Sequence, residues 1–533
     1  MLSHCSLNTL IVSLVSVCAC FARLELVGTR LMPMRDFDAN GPDHARLFLY
    51  VRNTGGSASI SDYAIDGTRH GGMPDAAAPV GNIPTTRWWM CWPNPVGSGD
   101  ITTVQIHLVN RAQTLGSSGT SHTVTLYHGG GSTDFTVTPA ATDLWMPFVA
   151  FSDNLKHVTV YAGNRGSSAI TLASGGGIKI NSASASGTMP SSTVEPGDVV
   201  PIAVSLSSAL EGGSHVLFEL AAQGGARCLG SMRAIPSTYG VSFWQFGDYD
   251  QRDLQAHFID TDIPGSANFQ DEPIGSGVPP QQLADRVVQA LDGGRTSPIM
   301  IQLTGQEENR IYCGMADIAM THHENPDQDL SLFLTWPRPI WYLPQNAWGR
   351  MENLNWQKEN WYRLEDLHRQ AFQGLGHGAK NTQWFTYQNL WQQGYGFGGG
   401  GEVARTHQDM SMPGAVGNPV LWDRVGRVSA VCQILEPYLK NSAPGKRYVD
   451  NNGLEVSTIV SANGANAVIV LVDNATERAF YLESQSTRSQ TVFTDVTVEA
   501  RVPGYLSASR AYLVDPFEGI SELTMSGPSN GKA

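Results

Sequence analysis

The hydrophobic rhythm of the chain changes twice. Between residues 23 and 228, apolar and polar positions alternate in short runs bounded by Gly, Pro and Asn, such as "LFLYVRN" (47–53), "VTVYAGN" (158–164) and "SHVLFELA" (214–221). Successive side chains of a strand point to opposite faces, so period two predicts half-buried antiparallel strands. From 229 to 445 short all-apolar runs such as "SPIMIQLTG" (297–305) follow stretches with helical spacing. In "PPQQLADRVVQALDGG", Leu283, Val287, Val288 and Leu291 share one helical face; in "NWYRLEDLHRQAFQGLGHG", Trp361, Leu364, His368, Ala371, Phe372 and Leu375 do. Asn418-Pro419 supplies an N-cap and first-turn proline for a further helix. This alternation predicts βα units around a parallel sheet. Alternation returns from about 446 to 524, predicting a C-terminal antiparallel β domain. The Gly/Ser-rich tail, 525–533, reads as disordered.

The first segment repeats itself. "LFLYVRNTGGSASI" from Leu47 matches "VTVYAGNRGSSAIT" from Val158, and "VGSGDITTVQIHL" from Val96 matches "VEPGDVVPIAVSL" from Val194. Two β-rich units of about a hundred residues read as tandem immunoglobulin-like sandwiches, placed at 23–140 and 141–228.

Composition narrows the function. Of 533 residues only 15% are charged, and the net charge is −14. No basic stripe is present to neutralise phosphates or anionic lipid, so neither nucleic acid nor membrane insertion is expected. The apolar run within residues 1–22 predicts a signal peptide and a secreted protein, and the Asn474-Ala475-Thr476 sequon agrees with a glycoprotein. Cys91, Cys228, Cys313 and Cys432 lack zinc spacing; they suit one or two disulfides or buried free thiols equally. "DFDANG" (36–41) opens like a calcium loop but has Leu47 where the bidentate Glu belongs, so a turn is expected. Trp88, Trp89 and Trp92 suit a sandwich core or domain interface better than a sugar-binding face. No metal or other cofactor is predicted.

The chemistry concentrates at "ANFQDEPIG" (267–275), where Asp271 and Glu272 stand side by side before Pro273. Proline stops a strand from continuing unchanged, which lets two neighbouring carboxylates face one hollow. The bland reading is a solvated acidic turn. "GMADIAMTHH" (314–323) and "RPIWYLPQNAW" (338–348) come next as further strand-to-polar transitions.

These motifs, with "RQAFQGLGHGAKNTQWFTYQ" (369–388), resemble the later half of glycoside-hydrolase (β/α)8 barrels. Adjacent Asp-Glu before Pro is similar to the pair in glycoside hydrolase family 123 and its relatives, and family 20 also uses an Asp-Glu pair. The resemblance implies two sandwiches, a TIM-type (β/α) barrel at 229–445 and a C-terminal β domain, with the site at the strands' C-terminal ends. It implies an oligo- or polysaccharide substrate and substrate-assisted cleavage, possible for N-acetylhexosaminides, with Glu272 as acid/base and Asp271 orienting a 2-acetamido group. Gln345 stands where related barrels carry a nucleophilic Glu, which disfavours a two-Glu mechanism. Gln270, His322, His323, Gln345, Trp348 and Tyr387 are the expected sugar contacts. His322-His323-Glu324 lacks HExxH spacing, so zinc is not expected there. Asp317 is expected to hold a neighbouring barrel residue, and His377 to be a structural helix-end residue. The stretch between Cys228 and Asp271 has room for about two strands where a full barrel needs four. The rival reading is therefore a non-catalytic carbohydrate-binding or adhesion protein on a degenerate barrel.

Overall fold

The computed structural model describes residues 22–33, 44–72, 87–109, 114–115, 119–139, 142–246, 251–260, 268–303, 305–322, 337–344, 364–388, 419–473 and 497–525. Nearly all of the expected signal peptide, the 36–41 turn, the sequon, "RTHQD" (405–409) and most of the tail lie outside them.

The first unit has two four-stranded sheets. One orders Leu24–Pro33, Ala45–Asn53, Ile101–Leu108 and Trp88–Trp92; the other orders Thr68–Arg69, Ile60–Ile65, His122–His128 and Gly131–Val137. Alternate side chains from both, among them Leu47, Leu49, Ile106, Tyr63, Val124 and Leu126, share one core. The second unit repeats the plan, with His157–Asn164 and Val199–Ser205 central in one sheet and His215–Ala221 paired to Arg227–Arg233 in the other. That last strand runs through the boundary expected at 228, because its ladder with His215–Ala221 continues to Arg233. At the other end, Ala443–Val449 crosses the boundary expected at 445/446; it pairs with Leu454–Val460, which pairs with Ala467–Asp473.

The sequence repeat is a repeat of hydrogen bonds. Asn53 Nδ2 donates to the carbonyls of Gly56 (2.6 Å) and Val96 (3.0 Å), and its Oδ1 accepts from Gly55 N at 3.0 Å. Asn164 does the same with Ser168 (2.8 Å), Val194 (2.8 Å) and Gly166 N (2.8 Å). The backbone matches too: Gly99 N donates to Asn53 O and Gly197 N to Asn164 O. One asparagine side chain thus ties the Asn-x-Gly turn to the start of the other repeated segment in both units.

Between the sandwiches and the C-terminal β domain lies a six-stranded sheet. Its strands, numbered within this unit, are β1 (Gly240–Phe246), β2 (Asn268–Asp271), β3 (Met300–Leu303), β4 (Ile318–His322), β5 (Ile340–Leu343) and β6 (Asn381–Gln388). The helices are α1 (Gln251–Ala256), α2 (Pro280–Asp292), α3 (Gly305–Tyr312), α4 (Leu364–Gly376), α5 (Pro419–Ile434) and α6 (Glu436–Leu439). Every pairing is parallel, and the order is β1-β6-β5-β4-β3-β2. The first strand lies beside the last, but β1 and β2 do not pair, so the described residues form an open sheet and no closed barrel.

Two apolar sets sort the faces of this sheet. Ile299, Ile301, Leu303, Ile340 and Tyr342 pack with Leu283, Ala284 and Val287 of α2 on the helix-covered face. Met300, Ile318, Met320, Trp341 and Leu343 cluster on the inner face. Trp384 belongs to the helix side: it packs with Val425 and Val428 of α5, and its Nε1 donates to Ser429 Oγ at 3.0 Å.

The sandwiches seal the N-terminal end of the sheet with buried cations. Arg46 Nη2 donates to the carbonyls of Arg310, Ile311 and Cys313 at 3.0, 2.7 and 3.1 Å, at the C-terminal end of α3, where a helix dipole favours positive charge. Its guanidinium lies 4.4 Å from the centroid of Trp88, whose Nε1 donates to Ile311 O at 2.6 Å. Trp88 is thus an interface residue. Arg233 reaches Asp317 at 2.7 Å, and the same carboxylate oxygen accepts from Ile299 N at 2.8 Å. Asp317 immediately precedes β4, at the end opposite the expected site, and holds a sandwich arginine. Lys380, just before β6, donates to Leu439 O (2.7 Å), Ser442 O (2.7 Å) and Ser442 Oγ (2.9 Å). Burial alone pushes this amine down to about 7, while the three oxygen acceptors favour its charged form. His377 is buried against Glu455 and Arg447 of the C-terminal domain, a structural role at the end of α4. The four cysteines outside the expected signal peptide are buried free thiols.

These contacts make two predictions. Asn53→Ala and Asn164→Ala each remove a side chain that makes three hydrogen bonds to the backbone, and each should lower unfolding free energy by about 1–3 kcal/mol, measured by urea denaturation. His44 and His215 are buried and neutral, with desolvation lowering each from 6.5 to about 3. As pH falls through 6.5, the unfolded chain takes up protons that the folded chain refuses. Stability should therefore drop on acidification, by about 1.4 kcal/mol per pH unit for each histidine until pH nears 3. A His44→Gln/His215→Gln variant should flatten that slope.

Candidate functional site

The short strand β2 carries the Asp-Glu pair, and a register shift decides where the acids go. Asn268 pairs with Met300, but Gln270 pairs with Ile301 and Asp271 with Gln302. One extra residue therefore sits in β2 opposite β3, a β-bulge that reverses the parity of the residues after it. Phe269 packs with the helix-side core, and Gln270 also stays on that side. Gln270 Nε2 donates to Asp271 O at 2.8 Å and its Oε1 accepts from Arg286 of α2 at 2.9 Å. Gln270 is thus tied to α2, which corrects its expected place among the sugar contacts. Asp271, flipped by the bulge, falls in register with the inner-face row and is exposed.

The strand ends at the next residue. Glu272 has φ of +37°, a left-handed conformation that costs a non-glycine residue about 1 kcal/mol or more. Its N–H still donates to Gln302 O at 3.2 Å, while its carbonyl accepts from Ser276 N at 2.8 Å. Ser276 Oγ donates to Asp271 O at 2.8 Å, and Val278 N to Pro273 O at 2.8 Å. The half-buried Glu272 side chain folds over Gly275: a Cβ there would stand 3.5 Å from Glu272 Oε2. Glu308 of α3 also fixes the turn. Its buried carboxylate accepts from Ile274 N at 2.6 Å, and Tyr312 OH donates to Val278 O at 2.7 Å.

On the inner face beside Asp271, amide side chains flank the apolar cluster. Asp271, Gln302, Met320, Trp341 and Asn381 are successive register partners across five strands. Gln302, Trp341, Asn381 and Gln383 are all at most 3% exposed. Yet Gln302 Oε1, Trp341 Nε1, Asn381 Oδ1 and Gln383 Oε1 have no hydrogen-bond partner among the described residues. Asn381 Nδ2 donates to Ser242 Oγ at 2.8 Å and Gln383 Nε2 to Phe243 O at 3.3 Å, which ties β6 to β1. Each buried orphan costs about 1–3 kcal/mol, so three acceptors and an indole donor on one face mark it as polar chemistry that apolar packing does not explain.

Of the other expected contacts, His322 ends β4 and Tyr387 lies in β6, both described in backbone only. His323, Gln345 and Trp348 lie outside the described residues. Gln302, Glu308, Asn381 and Gln383 were not singled out from sequence. Glu308 had a visible signal, the "TGQEEN" that comes after a buried strand, but amides inside apolar runs read as ordinary strand residues.

No family profile matches the chain, and no curated protein does. Among solved structures, a GH2 β-galacturonidase from Eisenbergiella tayi bound to galacturonate is 10% identical, spanning 77% of this chain and 97% of its own at a TM-score of 0.23. A GH36 α-galactosidase from Geobacillus stearothermophilus in complex with stachyose is 7% identical, spanning 96% and 86% at 0.27. The archaellum periplasmic stator proteins FlaF and FlaG from Sulfolobus acidocaldarius match 17% of this chain and 90% of theirs, at 19% identity and 0.15. Likenesses this loose carry no argument for function.

The left-handed backbone at residue 272 makes a direct prediction. Glu272→Gly should raise unfolding free energy by about 0.5–1 kcal/mol, whereas Glu272→Ala, which keeps the strain, should not. Thermal and urea unfolding of the two variants would check this.

Proposed function

We propose that the chain is a secreted carbohydrate-active protein of glycoside-hydrolase type that cleaves O-glycosidic bonds at the C-terminal end of its parallel sheet. The observation that carries this reading is the bulge and left-handed turn that bring Asp271 and Glu272 to one strand end, beside an inner face of unpaired amides. Strain held at a carboxylate where the backbone could have relaxed is characteristic of functional sites. The neutral donors and acceptors suit sugar hydroxyls better than a charged ligand.

Adjacent carboxylates on one turn cannot flank a sugar from opposite faces, so a substrate-assisted route on an N-acetylhexosaminide fits them best. The carbonyl oxygen of the substrate's 2-acetamido group attacks the anomeric carbon, held in line by Asp271. Glu272 in its acid form protonates the departing glycosidic oxygen. The resulting carboxylate then takes a proton from water, which opens the cyclic intermediate and restores the acid. A TIM-type (β/α) barrel left incomplete at the seam between β1 and β2 belongs to the same proposal.

One observation favours a second reading, a non-catalytic glycan-binding or adhesion protein. Among the described residues the sheet is open between β1 and β2, and no strand pairs with the edge that carries Asp271. A panel of chromogenic glycosides, run on wild type and Glu272→Gln, separates the two. Hydrolysis of at least one glycoside that falls by about 10²-fold or more in the variant supports the enzyme. Binding on a glycan array without turnover of any glycoside supports the second reading.

A further inference from the structure

The turn that follows Asp271 and Glu272 is gripped by one face of α3. Glu308, 3% exposed, accepts from Ile274 N at 2.6 Å. Tyr312, one helical turn further on, donates from its hydroxyl to Val278 O at 2.7 Å. Residues four apart on a helix share a face, so both ends of the turn are held from the same surface. The helix is itself held on two sides. Asn309 Nδ2 donates to Thr321 Oγ1 of β4 at 3.0 Å, and Arg46 and Trp88 of the first sandwich donate to carbonyls at its C-terminal end.

These anchors explain why residue 272 keeps a conformation that its own sequence opposes. A residue before proline is driven toward extended backbone, and any side chain disfavours the left-handed region. Glu272 nevertheless stands at φ of +37° directly ahead of Pro273. Its N–H is bound to Gln302 O of β3, and two residues later Ile274 N is bound to Glu308 of α3. β3 and α3 are consecutive elements of one βα unit, which fixes the two anchor points relative to each other. Pro273, between them, has its φ locked by its ring. The bend needed to reach from one anchor to the other therefore falls on Glu272.

We propose that Glu308 is a positioning residue: by holding Ile274 N it forces Glu272 into the left-handed conformation and so sets where the Glu272 carboxylate stands. Its effect on hydrolysis presupposes Glu272 as acid/base, whereas its hold on the backbone does not.

A thermal-unfolding cycle on the full chain tests the hold. Glu272→Gly relieves the strain and should raise the melting temperature of wild type by ~1–2 °C. The rise should persist in Glu308→Gln, whose side-chain oxygen still accepts from Ile274 N. It should vanish in Glu308→Leu, where the turn relaxes and no strain is left to relieve. Tyr312→Phe, which keeps the ring and loses one bond to the turn, should shrink the rise, and it carries the cycle if Glu308→Leu does not fold. On a glycoside that wild type cleaves, Glu308→Leu should lower kcat ~10-fold or more with KM within about twofold, and Glu308→Gln should restore it. The proposal is overturned by no rise in wild type, by an equal rise in wild type, Glu308→Leu and Tyr312→Phe, by Glu308→Gln behaving as Glu308→Leu, or by kcat unchanged in Glu308→Leu. Absence of turnover by wild type on every glycoside would instead sink the glycosidase reading, and the unfolding cycle would still decide the role of Glu308.

Discussion

Buried guanidinium groups hold this molecule together. Arg46 and Arg233 are sequestered between the sandwiches and the N-terminal end of the parallel sheet, and each donates to backbone carbonyls of the sheet unit. A guanidinium taken out of water costs several kcal/mol unless its donors are met. The carbonyls it meets sit at fixed points on helix ends and strand starts. The sandwiches therefore cannot slide over the sheet without stranding charge.

That constraint divides the sheet into two ends with different work. The N-terminal end is closed by arginines, Trp88 and Asp317, and its polar atoms are spent on joining units. The C-terminal end carries the turn at Asp271 to Val278, held by its own backbone and by Glu308. There the protein tolerates a left-handed glutamate, a feature that adds nothing to stability. Rigidity at one end is what allows strain to persist at the other.

The bulge in β2 shows how little separates a surface acid from a pocket acid. Without the extra residue, Asp271 would keep the parity of the helix side and face α2, as Gln270 does. With it, Asp271 joins the row of Gln302, Met320 and Trp341. The same geometry leaves the edge of β2 open toward β1, so the candidate site lies at the seam of the sheet.

Much of this was legible in the amino-acid order. Period-two runs gave the strands of both sandwiches, and the Asn-x-Gly repeat marked the two turns where Asn53 and Asn164 make matching bonds. Helical spacing placed α2 and α4, and the shortage of residues before Asp271 anticipated the unpaired seam. These are local properties, set by side-chain alternation and chain length. What only the tertiary structure decided are relations between distant segments: the bulge that turned Gln270 outward, the capping of α3 by Arg46, the pairing of Arg233 with Asp317, and the orphaned amides of β3 and β6. No window of sequence contains both partners of such a contact, and a register shift of one residue leaves the hydrophobic pattern almost unchanged while reversing which side chains face the interior.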